Sequence, residues 1–426
     1  MTVVREGSNF DPERRVMLKS LALASGTLLT DQAISPPVLA EGASGEAEWV
    51  RVKAAYPSCS PYLNLNNAAL SPQPRIVEET VFRAHRFADH EPDVNMWDNL
   101  DNARDETKRK LAAMADCDPS ELGFNRNSTE GLCTFIFGIG LKPGDEVLLA
   151  EWDYPSMRHA WEQRRSRDGI VIRWVHYDLM DDDETIVEAY KKAITSRTKV
   201  MHLTHVIHYT GRVLPVQQLC SIAKAHEIQT IVDAAQSFAQ MPISFRQMDC
   251  DYLAVSLHKW LCAPFGTGMI IIRASRLESL WPLIAPYDDD VTGIARFEHW
   301  SLGTYSSPSE FAIESAVEFH NSIGTGKIHA RLQELSRYWV GAAADIKGFK
   351  MHTPLDTPNL NAVTAFSIDG VSVESIEKRL AGEHRIQVKL RRQHSLACVR
   401  VSPQIYILKR ELDRFVSALR QVAKSS

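Results

Sequence analysis

Asp233-Ala-Ala-Gln236, then Asp251-Tyr-Leu-Ala-Val-Ser256-Leu-His258-Lys259, then Ala263-Pro-Phe-Gly-Thr267 form the stretch on which the reading of this chain turns. Two short apolar runs, Gln229–Asp233 and Tyr252–Ser256, have the length and branched-residue content of buried strands. An acid closes the first, and a lysine follows the second. Working outward, Glu146–Ala150, Ile170–Val175, Val200–Thr204 and Gly268–Ile272 read as further strands. Helical spacing marks Ile76–His90, Ser128–Phe137, Tyr154–Arg167, Glu184–Ser196 and Val216–His226. Strands that alternate with helices predict an α/β fold with a mostly parallel sheet covered by helices. Beyond residue 310 the pattern changes to a long helical stretch, Phe311–Ile346. A tail follows, with strands at Ala362–Ile368 and Val399–Ser402 and helices at Ser372–Leu380 and Lys409–Ala423. This predicts a smaller α+β C-terminal domain at 326–426, behind an N-terminal arm and large domain at 46–325.

The chain of 426 residues can bury a large core, and 44% hydrophobic with 24% charged residues is ordinary for a globular protein. A net charge of −5 without a basic run excludes a nucleic-acid partner. The acidic run Asp181-Asp-Asp-Glu184 reads as a loop and helix start, and no metal-ligand spacing occurs. Seven cysteines without a Cys-x-x-Cys pair suggest neither zinc nor a disulfide framework. Gly138-Ile-Gly140 opens no dinucleotide-binding glycine series. In residues 1–45, Arg14-Arg15 precedes a weakly apolar run, Leu21–Leu29, and a small-residue site near Val38-Leu-Ala40. The run is too short for a membrane span. The segment reads as a twin-arginine export signal with a linker, hence a periplasmic or exported protein, with a cytoplasmic extension as the alternative.

In a parallel sheet ligands gather at the C-terminal ends of strands. Asp233, Ser256, Lys259, Trp152, His205 and His208 all follow such ends. An acid on one strand and a lysine beyond the next suit pyridoxal 5'-phosphate (PLP). The lysine holds the aldehyde as a Schiff base, and the carboxylate keeps the pyridine nitrogen protonated. Burial would lower the pKa of Lys259 and free it to act as nucleophile and base. Ser128 and Thr129 open a helix whose N–H groups suit a phosphate.

Asp233-x-x-Gln236 with Ser256-x-His258-Lys259 resembles the class V aminotransferase family of fold-type I PLP-dependent enzymes. Asn66-Asn-Ala-Ala69, Asn127-Ser-Thr-Glu-Gly131, Gly303-Thr304 and Arg400-Val-Ser-Pro403 occur in the same order as in that family. The resemblance spans roughly residues 60 to 420. It implies that Gln236 faces the ring hydroxyl and that Ser256 and His258 complete the phosphate cup. By the same resemblance Trp152 stacks on the ring where relatives carry histidine, and His208 faces the cofactor or the substrate carboxylate. Thr304 would reach the phosphate of a neighbouring subunit, which implies a homodimer with shared sites. Asn67 is carried over as a substrate-binding residue. For the carboxylate of a small amino-acid substrate, Lys389-Leu-Arg-Arg392 and Arg400 are the candidates. Arg391 is preferred, and Arg400 is read as structural.

The segments Trp152-Asp-Tyr-Pro155 and Arg400–Tyr406 are similar to the isopenicillin N epimerase-like branch. An epimerase or aminotransferase-type enzyme acting at Cα is the first reading. A C–S lyase or a cysteine desulfurase-like enzyme is the second. A desulfurase needs a mobile nucleophilic cysteine, and Cys398 falls at a strand edge instead. A PLP-fold binding protein without turnover is the least favoured, since Lys259, Asp233, Gln236 and His258 are all in place.

Overall fold

The structure is a computed structural model that describes residues 45–57, 60–355, 357 and 360–424. The expected export segment lies outside the described residues, apart from Gly45, and so does Cys59. Among the described residues no helix is long and apolar enough to cross a membrane.

In chain order the strands are β1 (Leu63–Asn64), β2 (Leu122–Asn125), β3 (Glu146–Ala150), β4 (Val171–Val175), β5 (Thr198–Thr204), β6 (Gln229–Asp233), β7 (Tyr252–Ser256) and β8 (Gly268–Ile272), then β9 (Phe349–Met351), β10 (Thr364–Ile368), β11 (Ile386–Gln387), β12 (Lys389–Gln393) and β13 (Leu396–Val401). Seven of them form the large sheet in the order β2-β8-β7-β6-β5-β3-β4. The pairs from β4 to β7 are parallel, and β8 runs antiparallel between β7 and β2. Every residue of β3, β7 and β8 is buried, because helices cover both faces; this is why these strands read as unbroken apolar runs. The architecture is the expected one, a helix-covered sheet with a smaller α+β unit.

The expected long helix over 311–346 is interrupted. It consists of helices at Ser307–Phe311, Ile313–Ile323 and Thr325–Ala343, and the second break falls at Gly324, whose φ of 92° no continuing helix allows. Asp182, inside the acidic run, caps the helix Asp183–Ala193 by accepting from Thr185 N–H.

The C-terminal unit is a four-stranded antiparallel sheet, β12-β13-β10-β9, backed by helices Val373–His384 and Lys409–Lys424. The N-terminal segment closes on it. β1 pairs in parallel with β11, and Asn66 bridges Ser402. Arg331, almost wholly buried, donates to Glu46, Glu334 and the Ile407 carbonyl and lies 5.1 Å from the Trp49 ring centre. Charge-assisted bonds of this kind are worth about 1.5–3 kcal/mol each.

One glycine fixes how the loop after β5 meets this unit. Gly211 has φ 81°, and a Cβ there would sit 1.8 Å from the Val363 carbonyl oxygen. Asn361 donates to the Gly211 carbonyl at 2.8 Å, so a hydrogen bond joins the two segments at their close approach.

Candidate functional site

β6 and β7 are parallel neighbours in which Asp233 lies opposite Ala254. The carboxylate at the end of β6 and the turn after Ser256 therefore open onto one crevice. There a cavity of about 210 Å³ is lined by Ser128, Thr129, Tyr154, His208, Asp233, Gln236, Ser256, His258 and Lys259, with Ala69 and Thr204 among the rest.

Lys259 keeps partial exposure through this cavity but is otherwise enclosed by protein. Burial draws its pKa down to about 8, against the pull of Asp233 and with the push of Arg400 and Arg391. Asp233 is shifted upward, first by burial; Lys259 and the Ala235 N–H, which donates to it at 2.9 Å, oppose that rise. The ion pairs of the described residues include none between these two side chains, and both face the cavity.

At the far end, the Ser256 Oγ accepts from the Ser128 N–H at 2.9 Å and lies 2.9 Å from the Ser128 Oγ. Asn127 caps this helix by accepting from Glu130 N–H. Gly131 lets the helix lie on the sheet, since a Cβ there would meet Ile270 at 2.5 Å. His258 donates from Nδ1 to the Thr267 carbonyl at 3.2 Å. Gln236 accepts from the Trp260 indole and donates to the Ala68 carbonyl, both at 2.9 Å, which leaves one amide hydrogen. His208 Nδ1 is buried without a partner. The ring is neutral, because burial first and then Arg391, Arg400, Lys259 and Arg158 push its pKa far down.

The donor set fits PLP. A carboxylate without a cation is raised by burial, an amine of depressed pKa lies across from it, and hydroxyls and a helix N-terminus close the other end. Asp233 could hold the ring nitrogen, Lys259 the aldehyde carbon, and Ser128, Thr129, Ser256 and His258 the phosphate.

The other expected site residues do not line this cavity. Trp152 is buried but is not a lining residue. Its indole donates to the Tyr177 carbonyl at 2.9 Å, and its ring packs edge-on against Tyr209 and His394. Tyr154 takes the aromatic place in the cavity, 5.0 Å edge-to-face from His208. Asn67 is wholly buried and does not line this cavity. Its Nδ2 donates to the carbonyls of Asn64 and Ser402, and its Oδ1 accepts from Asn64 and Tyr406, so all four of its bonding positions are spent on holding the N-terminal segment. Arg391 lies near Lys259 and His208 but does not line the cavity. Arg400, expected to be structural, is buried beside it, with Nη1 on the His208 carbonyl (2.9 Å) and Nη2 on Asn66 (2.8 Å). Thr304 is exposed in a separate surface cavity of about 400 Å³ with Arg126, Glu130, Phe265, Ile284 and His299.

Asp153 was not foreseen. Its carboxylate, wholly buried, accepts from Thr204 Oγ1 and Ala150 N–H, both at 2.7 Å. Burial, helped by nearby Asp233, lifts its pKa to about 7. No motif marked it. The one signal was an acid placed just after a strand end.

The family described as aminotransferase class V matches residues 64–415. Isopenicillin N epimerase of Streptomyces clavuligerus is 28% identical over 88% of this chain and 98% of its own length. A cysteine desulfurase of Haloferax volcanii is 25% identical over 84% of this chain and 89% of its own. A solved mutant enzyme with glycine covalently linked to its PLP cofactor shares 19% identity, covers 86% of this chain and 98% of its own, and superposes with a TM-score of 0.79.

A pH dependence follows from Asp153. Its folded-state pKa, about 7, exceeds the ordinary value of 3.8. Its contribution to stability is therefore complete below pH 4 and is lost as pH rises through 7, a change on the order of a few kcal/mol. In cofactor-free protein, Asp153→Asn should gain stability relative to wild type between pH 5 and 8. A difference in urea midpoint that stays constant over that range would contradict the assignment.

Proposed function

Since this chain belongs to the class V aminotransferase family, a family of PLP-dependent enzymes, we propose that it acts at the Cα of an amino-acid substrate as an epimerase or aminotransferase-type enzyme. The observation that carries this reading is the pairing of Asp233 and Lys259 across one cavity without contact. When bound, PLP supplies an electron sink that makes the Cα proton acidic. Asp233 keeps a positive charge on the ring nitrogen. Lys259, with a pKa near 8, is poised to take the Cα proton and return it. Tyr154, His208 and His258 are further cavity groups able to hold or move a proton, a role for which Trp152 is wrongly placed. Arg400 rather than Arg391 receives the α-carboxylate, because its guanidinium is anchored by neutral acceptors and its Nε is left unpaired.

A desulfurase reading has less support. Among the described residues Cys117, Cys220, Cys250, Cys262 and Cys398 are buried and Cys133 is half-buried. Cys398 is pushed up to about 12, mainly by burial.

The site also supports a homodimer in which Thr304 serves the partner's phosphate end. Phe265 and Ile284 beside Thr304, with Trp281, Leu283 and Tyr287, leave large apolar side chains exposed on that part of the surface. Light scattering should give twice the chain mass; a monomer at micromolar concentration would refute the shared site.

The reaction is tested by incubating holoenzyme with D- and L-amino acids in deuterated water and reading Cα exchange, product chirality and keto acid by mass and chiral chromatography. Wild type should exchange the Cα proton, Lys259→Ala should lose exchange altogether, and Asp233→Ala should lose at least about a hundredfold. Exchange surviving in Lys259→Ala sinks the proposal. Thiol release from sulfur-containing substrates without racemisation or keto acid would move it to a C–S lyase.

A further inference from the structure

β12 and β13 set a group of cations on one face. Lys389 lies opposite Arg400 and Arg391 opposite Cys398, so Arg391 and Arg400 are diagonal neighbours on the same side of the ladder. Buried arginines elsewhere among the described residues each meet a carboxylate, even where Nε is unpartnered as in Arg212 and Arg331: Arg164 meets Asp168, Arg212 meets Asp183, and Arg331 meets Glu46. Arg400 meets none. Its two Nη groups rest on a carbonyl and an amide oxygen, and its Nε is buried without a partner. The Arg391 guanidinium has no hydrogen bond or ion pair, and its Nε is likewise buried and unpartnered. Arg158, on the helix Pro155–Asp168, donates only to the amide oxygen of Gln393 (3.0 Å) and leaves its Nε buried and unsatisfied.

All three surround His208, and Arg391 and Arg400 also bear on Lys259. Glu377 acts on Arg391 and Asp153 on Arg158 from nearby, but neither carboxylate bonds to a guanidinium of this group. Guanidiniums do not shed their charge, so arginines without a bonded anion are costly to enclose until one enters. One α-carboxylate offsets Arg400. Arg391 and Arg158 then remain without a bonded anion beside His208, which lines the cavity.

We propose that the substrate carries a second acidic group, and that Arg391, with Arg158 beside it, is the specificity-determining residue that receives it. The inference rests on the reading of the site as one for amino-acid chemistry at Cα, and it narrows the substrate class to acidic amino acids or their derivatives. A planar guanidinium with its Nε free can take a carboxylate through two parallel bonds, which a neutral amide cannot reproduce.

The test uses holoenzyme and matched pairs of D- and L-amino acids, glutamate against glutamine and 2-aminoadipate against its side-chain amide. Half-saturation is read from the change in the cofactor's visible absorbance. At least one acid should half-saturate at a concentration about tenfold or more below that of its amide. Arg391→Gln should bring that ratio close to one, and Arg391→Lys should restore part of it. Independently of turnover, glutarate should raise the melting temperature of wild-type holoenzyme more than butyrate does. Amides that match their acids in every pair, together with equal shifts from glutarate and butyrate, overturn this inference and leave the proposed Cα chemistry standing. An unchanged acid-to-amide ratio in a folded Arg391→Gln variant overturns the role of Arg391. A holoenzyme whose absorbance responds to no amino acid, acidic or neutral, overturns the proposed function, and this inference falls with it.

Discussion

The structure depends on a buried carboxylate and a largely enclosed amine that share a cavity without touching. Burial alone acts on both in the direction of neutrality, raising Asp233 and lowering Lys259. Direct contact would turn them into an ion pair and spend both charges on each other. Separation keeps each available to a third partner. The parallel register of β6 and β7 enforces that separation: Asp233 ends one strand, and Lys259 comes one turn beyond the end of the next. Asp233 is held by the Ala235 N–H, and the turn that bears Lys259 is tied back to Ser256 and Thr267.

The rest of the molecule supplies what that pair lacks. Helix Ser128–Gly138 brings an anion-favouring terminus to one end because Gly131 allows it to lie against β7 and β8. The C-terminal unit brings cations to the other end. Its placement rests on contacts between distant parts of the chain: Asn67 with Ser402 and Tyr406, Arg400 with Asn66 and the His208 carbonyl, Gly211 against Val363. Arg400 thus has two tasks. It ties three segments together through its Nη groups and keeps an unpaired Nε among the groups around Lys259.

Strands covered on both faces were legible in the sequence because burial imposes one rule on every position: β3, β6, β7 and β8 match their apolar runs end to end. β12 was not legible. Lys389-Leu-Arg-Arg-Gln393 carries no β-branched residue, and its cations are there for what they face rather than for strand packing. The Asp233, Gln236, Ser256, His258 and Lys259 constellation lies on adjacent strand ends, so local spacing sufficed to gather it. Trp152 and Tyr154 show where local reading fails. Both follow β3, but Asp153 turns inward to Thr204 and Ala150, and the side chains on either side of it part company. Asn67 and Arg400 could be sorted only by their partners, which lie more than 300 residues away in the chain for Asn67 and on two separate segments for Arg400.

The account stands or falls on which amine carries the cofactor. Holoenzyme reduced with borohydride, digested and mapped by mass spectrometry should show a phosphopyridoxyl group on the peptide containing Lys259, located at that residue. A label on any other lysine, or a protein that retains PLP yet yields no labelled peptide, would contradict it.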